Sequence, residues 1–271
     1  MRTAAMLLVA VGMLYPFLWM IAASLTEERQ IFNFPFKLIP DPVNVQGYLD
    51  VWKYSTYGYP MTVYFLNSVK VTAIGMVGSI LSSSLAAYGY SKIDFPGRDK
   101  IFLLKLSTMM IPIQVTMLPT FIIYRYLGLL DTHAACYIGT FFGATFGVFM
   151  LRQYFITIPP QLSEAAEIDG AGHFRIYSQI ILPIAKPALA TLIILNFTSL
   201  WNSYETPLLY LRSPRLYTLP LALKAISEDK NIIKYAGVMA GSVSSALPVI
   251  LVFIVCQRYF IGGIVSGGVK G

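Results

Sequence analysis

The sequence is poor in charge, in cysteine and in histidine, and each shortage narrows what the chain can be. Charged residues are 12% of its 271 positions, against 56% hydrophobic ones, and a soluble domain carries roughly twice that charged share. The net charge of +7 comes from Lys and Arg scattered singly between apolar runs. No cluster or stripe exists to track a phosphate backbone, so nucleic acid is not the expected partner. Cys136 and Cys256 lie in different apolar runs with no Cys or His at metal-ligand spacing. That argues against a metal site or a disulfide framework, and both read as small apolar packing residues. The two His fall in loops, and the apolar runs hold no Ser/His, paired Asp or HExxH arrangement, which argues against an intramembrane enzyme. No GxxxxGK(S/T) phosphate loop occurs either. The tail "GGVKG" lacks the spacing, the following Ser or Thr and a preceding strand.

What the chain has in quantity is long apolar stretches. Six reach the length of about 20 residues that crosses a bilayer: Ala4–Leu25, Met61–Lys92, Ile101–Tyr124, Ala134–Tyr154, Ile184–Leu211 and Gly237–Phe260. The expectation is an all-α polytopic membrane protein with one transmembrane domain over 1–271. The first run is too long for an ordinary signal-peptide core and reads as a retained span, a cleaved signal being the lesser alternative. An even number of spans puts both termini on one side. In the loops and at the span edges, Lys and Arg divide nine against nine between the two sides, with Lys70 and Lys105 further within spans, where their stems can snorkel. Charge counting therefore leaves orientation open, with the denser basic loop 92–100 leaning toward cytoplasmic termini.

Two strips of small residues run along the second span, Gly75, Ser79, Ser83 and Ala87, and beside them Gly78, Ser82 and Ala86. At a spacing of four they let helices approach closely within lipid, which makes tight packing the expected role. Pro16, Pro112, Pro119, Pro183, Pro187, Pro207 and Pro248 predict kinks.

The loop 155–183 stands apart because it carries "SEAAEIDGAG" between apolar runs. Pro159 and Pro160 suit a first helical turn, Ser163 is a candidate cap, and Glu164 to Ile168 are good helix formers. Gly170 suits a left-handed stop, and His173 to Ile181 predict a second helical arm before Pro183. The result is a helix–Gly–helix elbow. Ala165 and Ala166 are expected on a smooth outer surface flanked by Glu164, Glu167 and Asp169, a shape that fits another protein's groove. A helix resting on lipid headgroups would instead offer Lys or Arg and bulky apolar anchors.

"EAAEIDGAGHFRIYSQIILPIAKP" resembles the EAA loop of binding-protein-dependent ABC import permeases, with the pattern EAAxxDGAxxxxxFxxxxLPxxxP. The match falls on Glu164, Ala165, Ala166, Asp169, Gly170, Ala171, Leu182, Pro183 and Pro187, with Tyr177 standing where the pattern has Phe. "NSVKVTAIGMVGSILSSSLAAYGYSK", "MMIPIQVTMLPTFIIYRYLGLLDT", "FMLRQYFITIPPQLSEAAEIDGA" and "QRYFIGGIVSGGVKG" are similar to the carbohydrate branch, most of all to the shorter, six-span subunit of maltose-type importers. The resemblance implies a type I ABC importer fold in a bacterial inner membrane, with the EAA loop and both termini cytoplasmic. It implies a second permease as heterodimer partner, two ATPase subunits that bind ATP and Mg²⁺ and grip the EAA helix, and an extracytoplasmic solute-binding protein approached by residues 212–236. This chain itself would hold no cofactor and no metal and would not be an enzyme. Gly268 and Lys270 become secondary contacts to the ATPases, a frayed tail being the alternative.

Residues that meet a solute are less sharply marked. Polar groups within spans must face the bundle interior or water. Asn196, Asn202, Tyr204 and Glu205 of the fifth span and Gln114 of the third are the candidates, with helix-to-helix hydrogen bonding as the competing role. A sugar or oligosaccharide is the expected cargo. A glycerol-phosphate ester is the alternative within the branch, and an ion-coupled secondary transporter the alternative outside it.

Overall fold

The computed structural model describes residues 2–35, 37–53, 57–228 and 235–267, with side chains described for 3, 5–35, 37–53, 57–228 and 235–258. Among the described residues every regular element is helical. In chain order these are α1 (Arg2–Ser24), α2 (Gln46–Lys53), α3 (Met61–Lys92), α4 (Arg98–Ser107), α5 (Ile113–Tyr126), α6 (Ala134–Tyr137), α7 (Thr145–Thr157), α8 (Gln161–Ile168), α9 (His173–Ile176), α10 (Leu182–Ile184), α11 (Lys186–Trp201), α12 (Glu205–Tyr210), α13 (Leu219–Glu228) and α14 (Tyr235–Gly267).

Among the described residues four stretches are long and apolar enough to cross a bilayer: Ala5–Ser24, Met61–Lys92, Ala134–Thr157, which is interrupted at Gly143 and Ala144, and Tyr235–Arg258. Two bent pairs bring the number to six if each is one span, Arg98–Met110 with Ile113–Tyr126 at 99° and His173–Ile184 with Lys186–Trp201 at 80°. The third expected run, 101–124, is thus two helices rather than one. Pro112 is the cause: it forces Ile111 out of the helical region, to φ −81° and ψ 115°. The fifth expected run begins and ends differently too. Its helix bends at Ala185, between Pro183 and Pro187, and α11 stops at Trp201. Residues Asn202, Ser203 and Tyr204 separate it from α12. By contrast α3 is unbroken over 32 residues, which at about 1.5 Å per residue reaches beyond a hydrocarbon core of about 30 Å.

The chain packs as two units, Met1–Ser68 with Leu211–Ile250 and Val69–Tyr210 with Leu251–Gly271. In the first, most of α1 is exposed while Ala22, Ala23 and Ser24 at its end are buried. Ala23 packs with Ile31 and Ala236. The Glu28 carboxylate accepts the N–H groups of Tyr235 and Ala236 at 2.9 and 3.0 Å, satisfying two donors at the start of α14. Gly47 lies so close to Ala236 that an added Cβ would sit 2.8 Å from its carbonyl. Ser68 accepts the Leu219 N–H at 2.7 Å, and the Asn67 amide donates to Arg215 and Tyr217 carbonyls. These contacts hold the segment leading into α13.

In the second unit the small strips of α3 pack as their spacing predicts. Ser79, Ser83 and Ala87 are buried. Gly75 faces Leu200 and Tyr137, and Gly78 faces Phe141 at a distance no side chain could share. Gly147 of α7 meets Ser83 and Leu192. The core of this unit joins Ala87, Tyr88, Phe102, Val148, Leu151 and Phe155 to Ile176, Ile181 and Leu192.

Candidate functional site

The elbow begins where Pro160 ends the approach from α7. Its carbonyl receives the N–H groups of Ser163 and Glu164 at 2.9 and 3.0 Å, opening α8. Ser163 is not the cap that sequence reading offered. It lies within the helix, half-buried, and its hydroxyl has no hydrogen-bond partner. The other end of α8 closes as a Schellman turn. Gly170 sits at φ +78°, its N–H bonds Glu167 O at 3.0 Å, and the Ala171 N–H reaches back to Ala166 O at 2.8 Å. Nothing lies within 4 Å of a Cβ built at Gly170. Backbone conformation alone therefore demands glycine there.

The two alanines of the motif differ in exposure. Ala165 is exposed, as expected, but Ala166 packs with Ala171 against the core around Leu151, Phe155 and Ile176. The expected smooth alanine surface is half inward. What α8 shows outward is bulkier: Leu162, Ala165 and Ile168, the last 87% exposed, with Phe174 nearby in sequence and 76% exposed. Glu164, Glu167 and Asp169 are exposed beside this ridge. Sequence reasoning passed over Leu162, Ile168 and Phe174. The spacing of 162, 165 and 168 carries the signal, because residues three apart share a helix face. The expected second arm is also less regular. After α9 the chain makes a π-turn over Tyr177–Ile181 before α10.

The inner side of the elbow is tied to α3 and the loop after it. Tyr177 is buried and its hydroxyl lies 2.7 Å from that of Ser84. Its ring meets Tyr88 edge-on at 5.4 Å, and the Tyr88 hydroxyl lies 3.4 Å from His173 Nδ1. Lys92 donates to the Ile158 carbonyl at 2.7 Å. Arg152 of α7 donates to Tyr90 O and Asp99, and its guanidinium covers the Phe102 ring at 4.1 Å.

The solute-path candidates fall in several places. Asn202, Tyr204 and Glu205 come together at the break between α11 and α12, with Asn202 and Glu205 exposed and Tyr204 half-buried. Asn196 is half-buried in α11 and its amide nitrogen has no hydrogen-bond partner. Gln114 is exposed in the first turn of α5. Sequence reading did not single out Phe121 and Tyr124 of α5, whose rings lie 6.4 and 5.0 Å from that of Tyr210 in α12. Gly268 and Lys270 lie outside the described residues. No group of three His, Cys, Asp or Glu able to hold a metal occurs among the described residues.

With this geometry in hand, known proteins place the chain. It is 36% identical over 257 residues to the arabinooligosaccharides transport system permease protein of Halalkalibacterium halodurans, covering 95% of this chain and 91% of that one. It is 33% identical to the sn-glycerol-3-phosphate transport system permease protein of Yersinia pestis, over 91% of this chain and 88% of that one. A solved bacterial ABC transporter involved in the import of the acidic polysaccharide alginate has a chain of the same fold, at a TM-score of 0.83 and 28% identity, with 96% and 95% of the two chains covered. The model of the binding-protein-dependent transport system inner membrane component matches residues 78–264, a stretch that holds the whole elbow and the break after α11. The chain belongs to that family of inner membrane transport components, and is a membrane permease of the ABC importer fold.

Proposed function

We propose that this chain forms half of the translocation pathway of a sugar or oligosaccharide importer, and that separate ATPase subunits grip it at the elbow. One observation carries the reading. A short helix, closed at Gly170 by backbone geometry, turns an apolar ridge of Leu162, Ala165 and Ile168 outward while Ala166, and Ala171 beyond the stop, pack partly buried against the core. An exposed apolar ridge rimmed by polar residues marks an interaction surface. The three carboxylates beside it disfavour an anionic lipid surface and suit a protein rim.

The mechanics follow from stiffness. Closure of the ATPase dimer on ATP displaces the ridge. The Schellman turn and the packing of the partly buried Ala166 and Ala171 keep α8 from bending on its own, so the displacement passes as a rigid-body shift into the chain leading to α11. Such a shift alternates access to the pathway between inward and outward. ATP and Mg²⁺ belong to the partner subunits in this account. Elbow and termini face the cytoplasm of a bacterial cell, while residues 212–228 approach an extracytoplasmic solute-binding protein. A second permease completes the pathway, and Gly268 and Lys270 are secondary contacts to the ATPases.

Cargo is read from the α11–α12 break. Asn202, Tyr204 and Glu205 supply the hydrogen-bonding and aromatic groups that suit a polyhydroxylated ring, with Asn196 and Gln114 as further candidates. A phosphate ester, the cargo named for one relative, is the second reading. It is disfavoured because the stretch 202–210 holds the Glu205 carboxylate and no Lys or Arg. The test is reconstitution in liposomes with candidate ATPase, second permease and binding protein. Uptake that requires ATP is the expected result. Uptake by this chain alone, driven by an ion gradient, contradicts the reading.

A further inference from the structure

We propose that the Tyr177 hydroxyl is a positioning group for coupling: by donating to Ser84 it pins the second arm of the elbow to α3, and so fixes how a displacement of α8 reaches α11. The proposal rests on the reading of the elbow as the ATPase contact. It does not follow from the family pattern, which has Phe at this position and therefore no proton to give.

The direction of the bond can be worked out. Ser84 Oγ lies 3.1 Å from the Leu81 carbonyl as well as 2.7 Å from the Tyr177 oxygen. The carbonyl can only accept and each hydroxyl has one proton, so a single arrangement uses both protons: Ser84 donates to Leu81 and Tyr177 donates to Ser84. The chain of bonds Tyr177 to Ser84 to Leu81 O is buried, Tyr177 being 5% exposed and Ser84 1%. A hydrogen bond in such surroundings is costly to leave unmade. One turn further along α3, Tyr88 touches both Tyr177 and His173. Both ends of the first turn of the arm are thus fastened to one short stretch of α3.

Where the fastening falls is what gives it consequence. Tyr177 opens the π-turn Tyr177–Ile181, which stands between α9 and α10. A π-turn widens the helix by one residue and occurs often at functional sites. This one lies between the stop at Gly170 and the bend at Ala185, where α-helical bonding is interrupted. Pinned at its first residue, it passes motion on; unpinned, it absorbs it.

The experiment uses the full chain with Cys136→Ala and Cys256→Ala and a spin label on Ala165→Cys, an exposed site on α8. Label mobility is read on the labelled chain alone; uptake and ATP hydrolysis are read on the reconstituted importer with native Ala165 and no label, since Ala165 belongs to the ridge the ATPase grips. Tyr177→Phe is expected to raise label mobility and to lower solute taken up per ATP hydrolysed by roughly two- to tenfold, the worth of one such bond, with ATPase association kept. A merely structural loss lowers uptake and hydrolysis together and leaves their ratio alone. Ser84→Ala is expected to act more strongly, because a buried phenol loses its acceptor, and the double variant to be no worse than Ser84→Ala. If Ser84→Ala does not accumulate, Tyr177→Phe alone decides. An unchanged ratio or an unchanged label in Tyr177→Phe overturns the proposal, as do additive losses in the pair. A wild-type chain that imports without ATPase subunits instead overturns the reading on which it rests, and is distinguished by that control.

Discussion

Two interruptions of the helical chain invite comparison, the elbow around Gly170 and the break after Trp201. Both consist of polar and helix-stopping residues, but they are fixed by different means. The elbow is set by backbone: a glycine at φ +78° and reciprocal bonds of 2.8 and 3.0 Å close α8. The break is set more loosely. Asn202 ends α11 at φ −87° and ψ 4°, without a left-handed residue and with bonds of 3.2 and 3.3 Å from Asn202 to Thr198 and from Ser203 to Leu200, and Asn202 and Glu205 stay exposed. A transmitter of force needs the first kind of construction. A surface that meets a passing solute needs the second, with side chains free to bind and release.

The sharpest way to break this comparison is to charge the ridge. Ile168→Glu is expected to abolish association with the ATPase subunits and reduce uptake at least about tenfold, as loss of an interface anchor does. Folding should be kept within about 0.5 kcal/mol, because the side chain is exposed. Co-purification and thermal melting check both halves. Next in size is the backbone of the stop. Gly170→Val forces a β-branched residue to positive φ, costing more than the roughly 1–2 kcal/mol usual for a side chain there, while Gly170→Asn tolerates it. The Val variant should uncouple hydrolysis from uptake and the Asn variant should retain most transport.

A smaller effect separates the two alanines. Ala166→Leu overpacks the inner face and should lower stability by about 1–3 kcal/mol, whereas Ala165→Leu should change it by less than about 0.5 kcal/mol. Denaturation of the purified chain in detergent distinguishes them. Smallest are the changes at the break. Asn202→Ala is expected to raise the solute concentration for half-maximal uptake by about two- to fivefold, the worth of one hydrogen bond, with ATPase association unchanged.

What the sequence disclosed was governed by the range of the interaction. Gly170 was legible as a left-handed stop because a Schellman turn is decided by its own few residues. The packing of Gly75, Ser79 and Ser83 was legible because a strip of small residues on one helix has one main use in lipid. Ser163 was misjudged because the proline carbonyl ahead of it receives the first helical bonds, leaving its hydroxyl turned inward. Ala166 was misjudged because two adjacent alanines look alike until the rest of the fold assigns one to the core. The 99° bend at Pro112 was foreseen as a kink but not as a division of the helix. The candidate solute path was least legible, since a polar residue that meets solute and one that only packs have the same side chains, as Asn202, Tyr204 and Glu205 illustrate.

The central claim is that the outward face of α8 is held by an ATP-hydrolysing partner inside the cell. A photoreactive residue placed at Ala165 in native membranes tests it most directly. The account predicts an adduct with an ATPase subunit, lost when Ile168→Glu is added. Adducts with lipid alone, or labelling of that position by a reagent confined to the outside of the cell, would contradict it.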